Sequence, residues 1–218
     1  MIQLTLINPC EIDSTFAKAC FQIMKHLQEH KYIVFNEEDV ISEQNYMISF
    51  AYLLGCELKD KEHLYGGELK KILSACHNKN ILALAERIKR SCNEDIVTVK
   101  PDFIIHDCLE RENLYPVHQH FIVETKTLKR LSQDVFCWDL FKLHGYIDQL
   151  GYKNAVYILI NSDKPTIENN LRTYIREYVE DLNSWKEKTE NGRLLFFIQK
   201  DKDSVPEAYQ VNMTIDDY

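Results

Sequence analysis

Six consecutive apolar residues, AVYILI at 155–160, lie between two stretches of helical periodicity, and they constrain the fold more than any other segment. A strand without polar alternation needs cover on both faces, which adjacent helices can supply. The preceding helix is expected over about residues 134–150 and the following one over about 166–188. In the second, Ile167, Leu171, Tyr174, Ile175, Tyr178, Val179, Leu182 and Trp185 keep a helical period throughout. A last strand is expected at 193–199 (RLLFFIQ), with an acidic tail after it.

Upstream, IQLTLIN at 2–8 reads as a short strand. Asp13 or Ser14 can cap a helix running to about Leu27. A second helix, capped by Asp39 or Ser42, is expected over about 40–54, with Tyr46, Met47, Phe50, Ala51 and Leu54 as its stripe and Gly55 as its stop. Three β-rich runs follow from Ile96: IVTV, DFIIHD and HFIVETK. The order is helix, two or three strands, helix, strand, helix, strand, which is that of an α/β sandwich with a mixed sheet. The 218 residues suit a single domain over 1–218. Residues 56–94 form an expected helical insertion, two short helices broken near Asn78 and Asn80.

Composition narrows the function classes. A formal net charge of −8 argues against a protein that coats nucleic acid non-specifically, because such proteins neutralise phosphates with excess Lys and Arg. It leaves room for an enzyme with a local basic groove. Seven scattered Cys without a C-x-x-C pair fit free thiols in a reducing cytosol better than disulfides or a zinc knuckle. The N-terminus meets Glu11 and Asp13 too soon for a signal peptide, and the apolar runs are too short to span a bilayer. A soluble, cytoplasmic protein is expected, with no membrane partner.

The chemistry concentrates in one strand pair. If DFIIHD and HFIVETK form a hairpin with its turn centred on Asn113, Asp102 comes alongside Glu124. Glu124 and Lys126 are two apart and share a strand face. Two carboxylates and an ammonium then converge at one sheet edge. Such an oxygen cluster suits Mg²⁺, which typically takes one or two carboxylates, waters and substrate phosphate. Lys126 can orient or deprotonate the attacking water, or stabilise charge on the phosphate. The competing reading is an exposed Glu–Lys pair at a strand end, worth about 0–1 kcal/mol.

KPDFIIHD, followed by ETK at the end of an apolar strand, resembles the PD-(D/E)XK nuclease signature, over roughly residues 40–160. The resemblance implies a three-layer restriction endonuclease-like core: helix, mixed central sheet with a β-hairpin, and helix, here with extra helices. It implies a Mg²⁺- or Mn²⁺-dependent phosphodiesterase that cleaves DNA and leaves 5′-phosphate and 3′-hydroxyl ends. Asp102 and Glu124 would be metal ligands, together with the backbone carbonyl of Thr125, and Lys126 the catalytic lysine. Members often carry a Glu on the helix before the strands. Glu43, on the apolar side of its helix, is the candidate, with Glu37 and Glu38 as rivals. A catalytically inactive member, acting as a DNA- or protein-binding module, is the alternative. Paired sites are a common way to cut both strands, so a homodimer would suit the activity.

Asp139, Lys142, Tyr146 and Gln149 form a polar stripe on the helix after the motif. The stripe is either a solvated face with an Asp139–Lys142 pair or a flank of the site, where Lys142 and Gln149 would meet phosphate. Lys129 and Arg130, just beyond Lys126, could line a positive groove. His106, His118 and His120 invite a zinc reading, but no further ligand stands at a persuasive spacing, and they are taken as turn and surface residues.

Overall fold

The computed structural model describes residues 2–12, 14–30, 42–58, 63–66, 71–74, 85–88, 96–107, 119–128, 131–148, 150–183 and 193–213. Nine strands and four longer helices follow in this order among them. They are β1 (Ile2–Leu6), α1 (Thr15–Glu29), α2 (Glu43–Leu58), β2 (His63–Gly66), β3 (Lys71–Ser74), β4 (Ile96–Val99), β5 (Phe103–Asp107) and β6 (Gln119–Lys126). The chain continues with α3 (Gln133–Asp148), β7 (Asn154–Ile160), α4 (Lys164–Asn183), β8 (Arg193–Gln199) and β9 (Glu207–Met213).

Seven strands make one mixed sheet in the order β1-β9-β8-β7-β6-β5-β2. The central strands β6, β7 and β8 run parallel, and their neighbours are antiparallel. Alternation splits the side chains between two cores. Ile104, Ile122, Ala155, Tyr157, Leu159 and Phe196 pack with α3 and α4. Phe103, Ile105, Phe121, Val123, Val156 and Phe197 pack with α1 and α2. Helices therefore cover both faces of the parallel strands, as the unbroken apolar run at 155–160 requires. The result is a three-layer α/β arrangement.

Local chemistry starts each helix. The Ser14 side chain accepts from Ala17 N (3.3 Å) and Ser42 Oγ from Asn45 N (3.4 Å). Asp163 Oδ1 accepts from Thr166 N (2.9 Å), with Pro165 in the first turn of α4, where its missing N–H costs nothing. On α2, Tyr46, Phe50 and Leu54 recur every four residues and are fully buried, and the Phe50 ring meets Phe103 edge-on at 6.1 Å. Among the described residues no helix is long and apolar enough to cross a membrane.

Three boundaries differ from the sequence reading. α2 continues through Gly55 to Leu58, because a glycine ends a helix only where it adopts a left-handed conformation, and Gly55 does not. Residues 56–94 are not simply helical. β2 extends the main sheet beside β5, and β3 pairs antiparallel with β4, leaving only 85–88 helical among the described residues beyond α2. Short apolar runs such as KILS carry too few residues to separate a strand period from a helical one. The expected acidic tail contains β9, which fills the gap between β1 and β8. Ala208 and Tyr209 give that strand its buried contacts despite the charges around it.

Candidate active site

The β5–β6 hairpin has the register expected from the sequence. Phe103 pairs with Val123, Ile104 with Ile122 and Ile105 with Phe121. Asp102 N donates to Val123 O (3.1 Å), so the next step of the ladder sets Asp102 alongside Glu124. At the other end the register shifts between Ile105 and His106, and His120 is the extra residue of a bulge. The His120 ring packs at 5.3 Å from Phe16, on the opposite side from the carboxylates. The turn around Asn113 and His118 lies outside the described residues.

Glu124 is completely buried, which rules out the exposed-pair reading. Its Oε1 accepts from Tyr146 Oη (3.2 Å) and its Oε2 from Lys142 Nζ. Asp102 Oδ2 accepts from Thr125 N (2.6 Å), while no described residue donates to its Oδ1. Lys126 Nζ donates to Glu43 Oε1 (3.0 Å) and to the Thr125 carbonyl (2.9 Å), and it lies 3.8 Å from Asp139 Oδ2. Glu43 stands at the N-terminus of α2 and Asp139 on α3, so the Lys126 side chain spans the end of the sheet between the two helical layers. Just past the motif, Asn161 adopts a left-handed backbone (φ 60°) and donates from Nδ2 to Thr127 O (3.1 Å). That bond fixes the chain leaving Lys126 to the end of β7.

The hairpin thus brings together five of the residues singled out from sequence: Asp102, Glu124, Thr125, Lys126 and, through its ion pair, Glu43. Lys142 joins them from α3. Lys129, Arg130, Gln149, Glu37 and Glu38 lie outside the described residues. The polar stripe on α3 is not a solvated face, because Asp139, Lys142 and Tyr146 are all buried against the sheet. The sequence offered Asp139 only as a surface partner of Lys142, a pair that forms in buried surroundings (2.9 Å), and gave no role to Tyr157, whose hydroxyl donates to Asp139 Oδ2 (2.7 Å). The available signal was the phenol inside AVYILI, since a buried Tyr hydroxyl wants a polar partner.

Burial governs the electrostatics. It pushes Glu124 up to about 8, against the pull of Lys142 and with added repulsion from Asp139 and Asp102. Burial likewise raises Asp102 and Glu43, although Lys126 opposes it in both cases. For Lys126 burial acts downward, but Asp139, Glu43 and Asp102 outweigh it and the ammonium is held above its usual range. The same balance, with Glu124 and Asp139 as the anions, raises Lys142. Both lysines are therefore charged at neutral pH. In this state Lys126 can donate hydrogen bonds and stabilise negative charge, but it cannot accept a proton.

Carboxylates and a backbone carbonyl are hard oxygen donors, which fit Mg²⁺ or Mn²⁺ in kind. Glu43, Asp102, Glu124 and Asp139 set against Lys126 and Lys142 leave two negative charges in excess when all are ionised, which also fits a divalent cation. Among the described residues, however, no three acidic, His or Cys side chains converge as a ready metal site. The ammonium groups stand between the carboxylates. Seating a cation on Glu124 requires Lys142 to leave it.

Comparison with protein-family models, curated proteins and solved structures returns no match to this chain.

Proposed function

We propose that this protein is a divalent-metal-dependent phosphodiesterase that cleaves DNA through a PD-(D/E)XK-type site. The observation that carries the reading is the convergence of Asp102, Glu124, Lys126 and Glu43, drawn from three separate segments, at one end of a buried strand pair. Buried charges are costly and seldom gather without a task. Asp102, Glu124, Glu43 and the Thr125 carbonyl would hold Mg²⁺ or Mn²⁺. A cation bound there would neutralise charge at the phosphate and favour ionisation of a nearby water.

The chain's own groups supply the rest. Lys126, held as an ammonium, orients the phosphodiester and offsets the charge that develops on its non-bridging oxygens during in-line attack. Thr125 N fixes the Asp102 carboxylate, and Tyr146 does the same for Glu124. Gln149, Lys129 and Arg130 are the proposed contacts to the DNA backbone, whereas Lys142, expected from the sequence to join them, is buried against Glu124 and Asp139.

The test is cleavage of supercoiled plasmid and linear DNA with Mg²⁺, with Mn²⁺ and with EDTA, in the wild type and in Asp102→Ala. The expected result is metal-dependent cleavage that Asp102→Ala abolishes. Cleavage that persists in EDTA, or undiminished in Asp102→Ala, would overturn the mechanism.

A second reading has its own support, because the ammonium groups already satisfy Glu124 and Glu43. On that reading the same fold is a catalytically inactive DNA- or protein-binding module whose lysines replace the metal. Calorimetric titration with Mn²⁺ separates the two, and absence of binding favours the module.

A further inference from the structure

Asp139 is the most heavily engaged carboxylate of the cluster, and the reading above gives it no task. Its Oδ1 accepts from Lys142 Nζ at 2.9 Å. Its Oδ2 accepts from Tyr157 Oη at 2.7 Å and lies 3.8 Å from Lys126 Nζ. Asp139 therefore meets both lysines, and each lysine meets one further carboxylate: Lys142 meets Glu124, and Lys126 meets Glu43.

The charges explain why this sharing matters. When all four carboxylates are ionised, as they are once a cation is bound, they exceed the two ammonium groups by a charge that one divalent cation cancels. Without Asp139 the same cation would leave the pocket with a net positive charge in buried surroundings. A buried ammonium stripped of its anion is strongly disfavoured. Glu124 and Glu43 can therefore turn to a cation only if the lysines keep another anion. Asp139 is that anion, and the Tyr157 hydroxyl fixes its orientation from the middle of β7.

We propose that Asp139 is a positioning residue that retains the ammonium groups of Lys126 and Lys142, so that Glu124 and Glu43 are free to bind a divalent cation. The inference rests on the metal-dependent reading and extends it to how the site changes from its ion-paired state to its loaded one.

The test is a double-mutant cycle read by Mn²⁺ calorimetry on the full chain, with thermal denaturation to check that each variant is folded. Lys142→Met removes the competitor for Glu124 and should tighten Mn²⁺ binding. Asp139→Asn keeps an acceptor for Tyr157 but leaves Lys142 dependent on Glu124, and should weaken Mn²⁺ binding by about 10- to 100-fold. The decisive variant is Asp139→Asn with Lys142→Met. If Asp139 acts through the lysine, most of the loss disappears in that background. If Asp139 is only a nearby negative charge, the loss is undiminished, the two effects simply add, and the proposal is overturned. Unchanged affinity in Asp139→Asn overturns it as well and leaves the metal reading standing. No Mn²⁺ binding by the wild type overturns both. Should Asp139→Asn not fold, Tyr157→Phe loosens Asp139 without removing its charge. It should weaken Mn²⁺ binding several-fold less than the Asn variant, again relieved by Lys142→Met, and no change there counts against the proposal.

Discussion

The two faces of the central sheet are both covered by apolar side chains, but only one of them also buries charge. Toward α1 and α2 the strands present Phe103, Ile105, Phe121, Val123, Val156 and Phe197, with polar side chains such as Thr125 and Gln199 only at the margin. Toward α3 and α4 the same strands present Ile104, Ile122, Leu159 and Phe196, and they also bury Glu124 and Tyr157 against Lys142, Tyr146 and Asp139. Apolar burial stabilises by about 25 cal/mol per Å², whereas buried ion pairs often contribute nothing net or cost stability. Apolar packing therefore holds the fold from both sides. The face toward α1 and α2 is dry, and the face toward α3 adds a charged cluster to its apolar contacts.

The sharpest way to break this contrast is on the dry face. Phe50→Ala should destabilise the protein by about 3–5 kcal/mol in urea denaturation, because its ring packs edge-on to Phe103 in a fully buried position. The fraction that remains folded should cleave DNA at the wild-type rate. Lys126→Ala should do the reverse: kcat/KM for Mg²⁺-dependent cleavage is expected to fall about 10²–10³-fold, with a smaller loss of stability than in Phe50→Ala. Equal loss of stability in the two variants would remove the distinction between the faces.

His144 gives the pH arm of the comparison. Burial lowers it from 6.5 to about 4 in the folded protein. As pH falls, the unfolded chain takes up the proton first. The stability is thus fully present above pH 6.5, declines between 6.5 and 4, and has lost about 3 kcal/mol below that. Glu124, raised to about 8, contributes in the opposite sense as pH falls, so the His144 share is read as the difference in urea midpoint between the wild type and His144→Phe at pH 7, 5 and 4. The smallest expected effect sharpens the contrast most. Glu124→Gln combined with Lys142→Met replaces the buried ion pair with neutral groups of similar size. Stability should hold to within about 1 kcal/mol, because the pair's loss is offset while Asp139 gives up Lys142 and keeps Tyr157, and the proposed cleavage should be lost. A large destabilisation would mean that the charged cluster supports the fold after all.

Much of this contrast was legible in the sequence, and its limits have physical causes. The hairpin register could be inferred because setting Asp102 opposite Glu124 centres the turn on Asn113, inside a polar stretch, and the pairs Phe103–Val123 and Ile104–Ile122 keep that register. Lys126, two residues beyond Glu124, then shares its strand face. Glu43 needed a contact across layers, and its position on the apolar side of α2 and the family resemblance were the hints. The α3 stripe was ambiguous for a different reason. Polar residues three and four apart fit a solvent face as well as the flank of a site, and Glu124 lies opposite them only after the chain has folded. β9 was hidden because Glu207 and the acidic residues around it obscure a strand whose partners, β1 and β8, are far away in sequence.

Asn161 carries a consequence for which substitutions the protein can accept. It holds a left-handed backbone and, through its amide, the carbonyl of Thr127. Glycine would satisfy the first demand and lose the second. Alanine would meet neither, and Asp would bring an acceptor where a donor is needed. A position with no apparent chemistry of its own therefore has a narrower choice of side chains than most of the surface around it. Drift there would reach the charged end of β6 without touching a single charged residue.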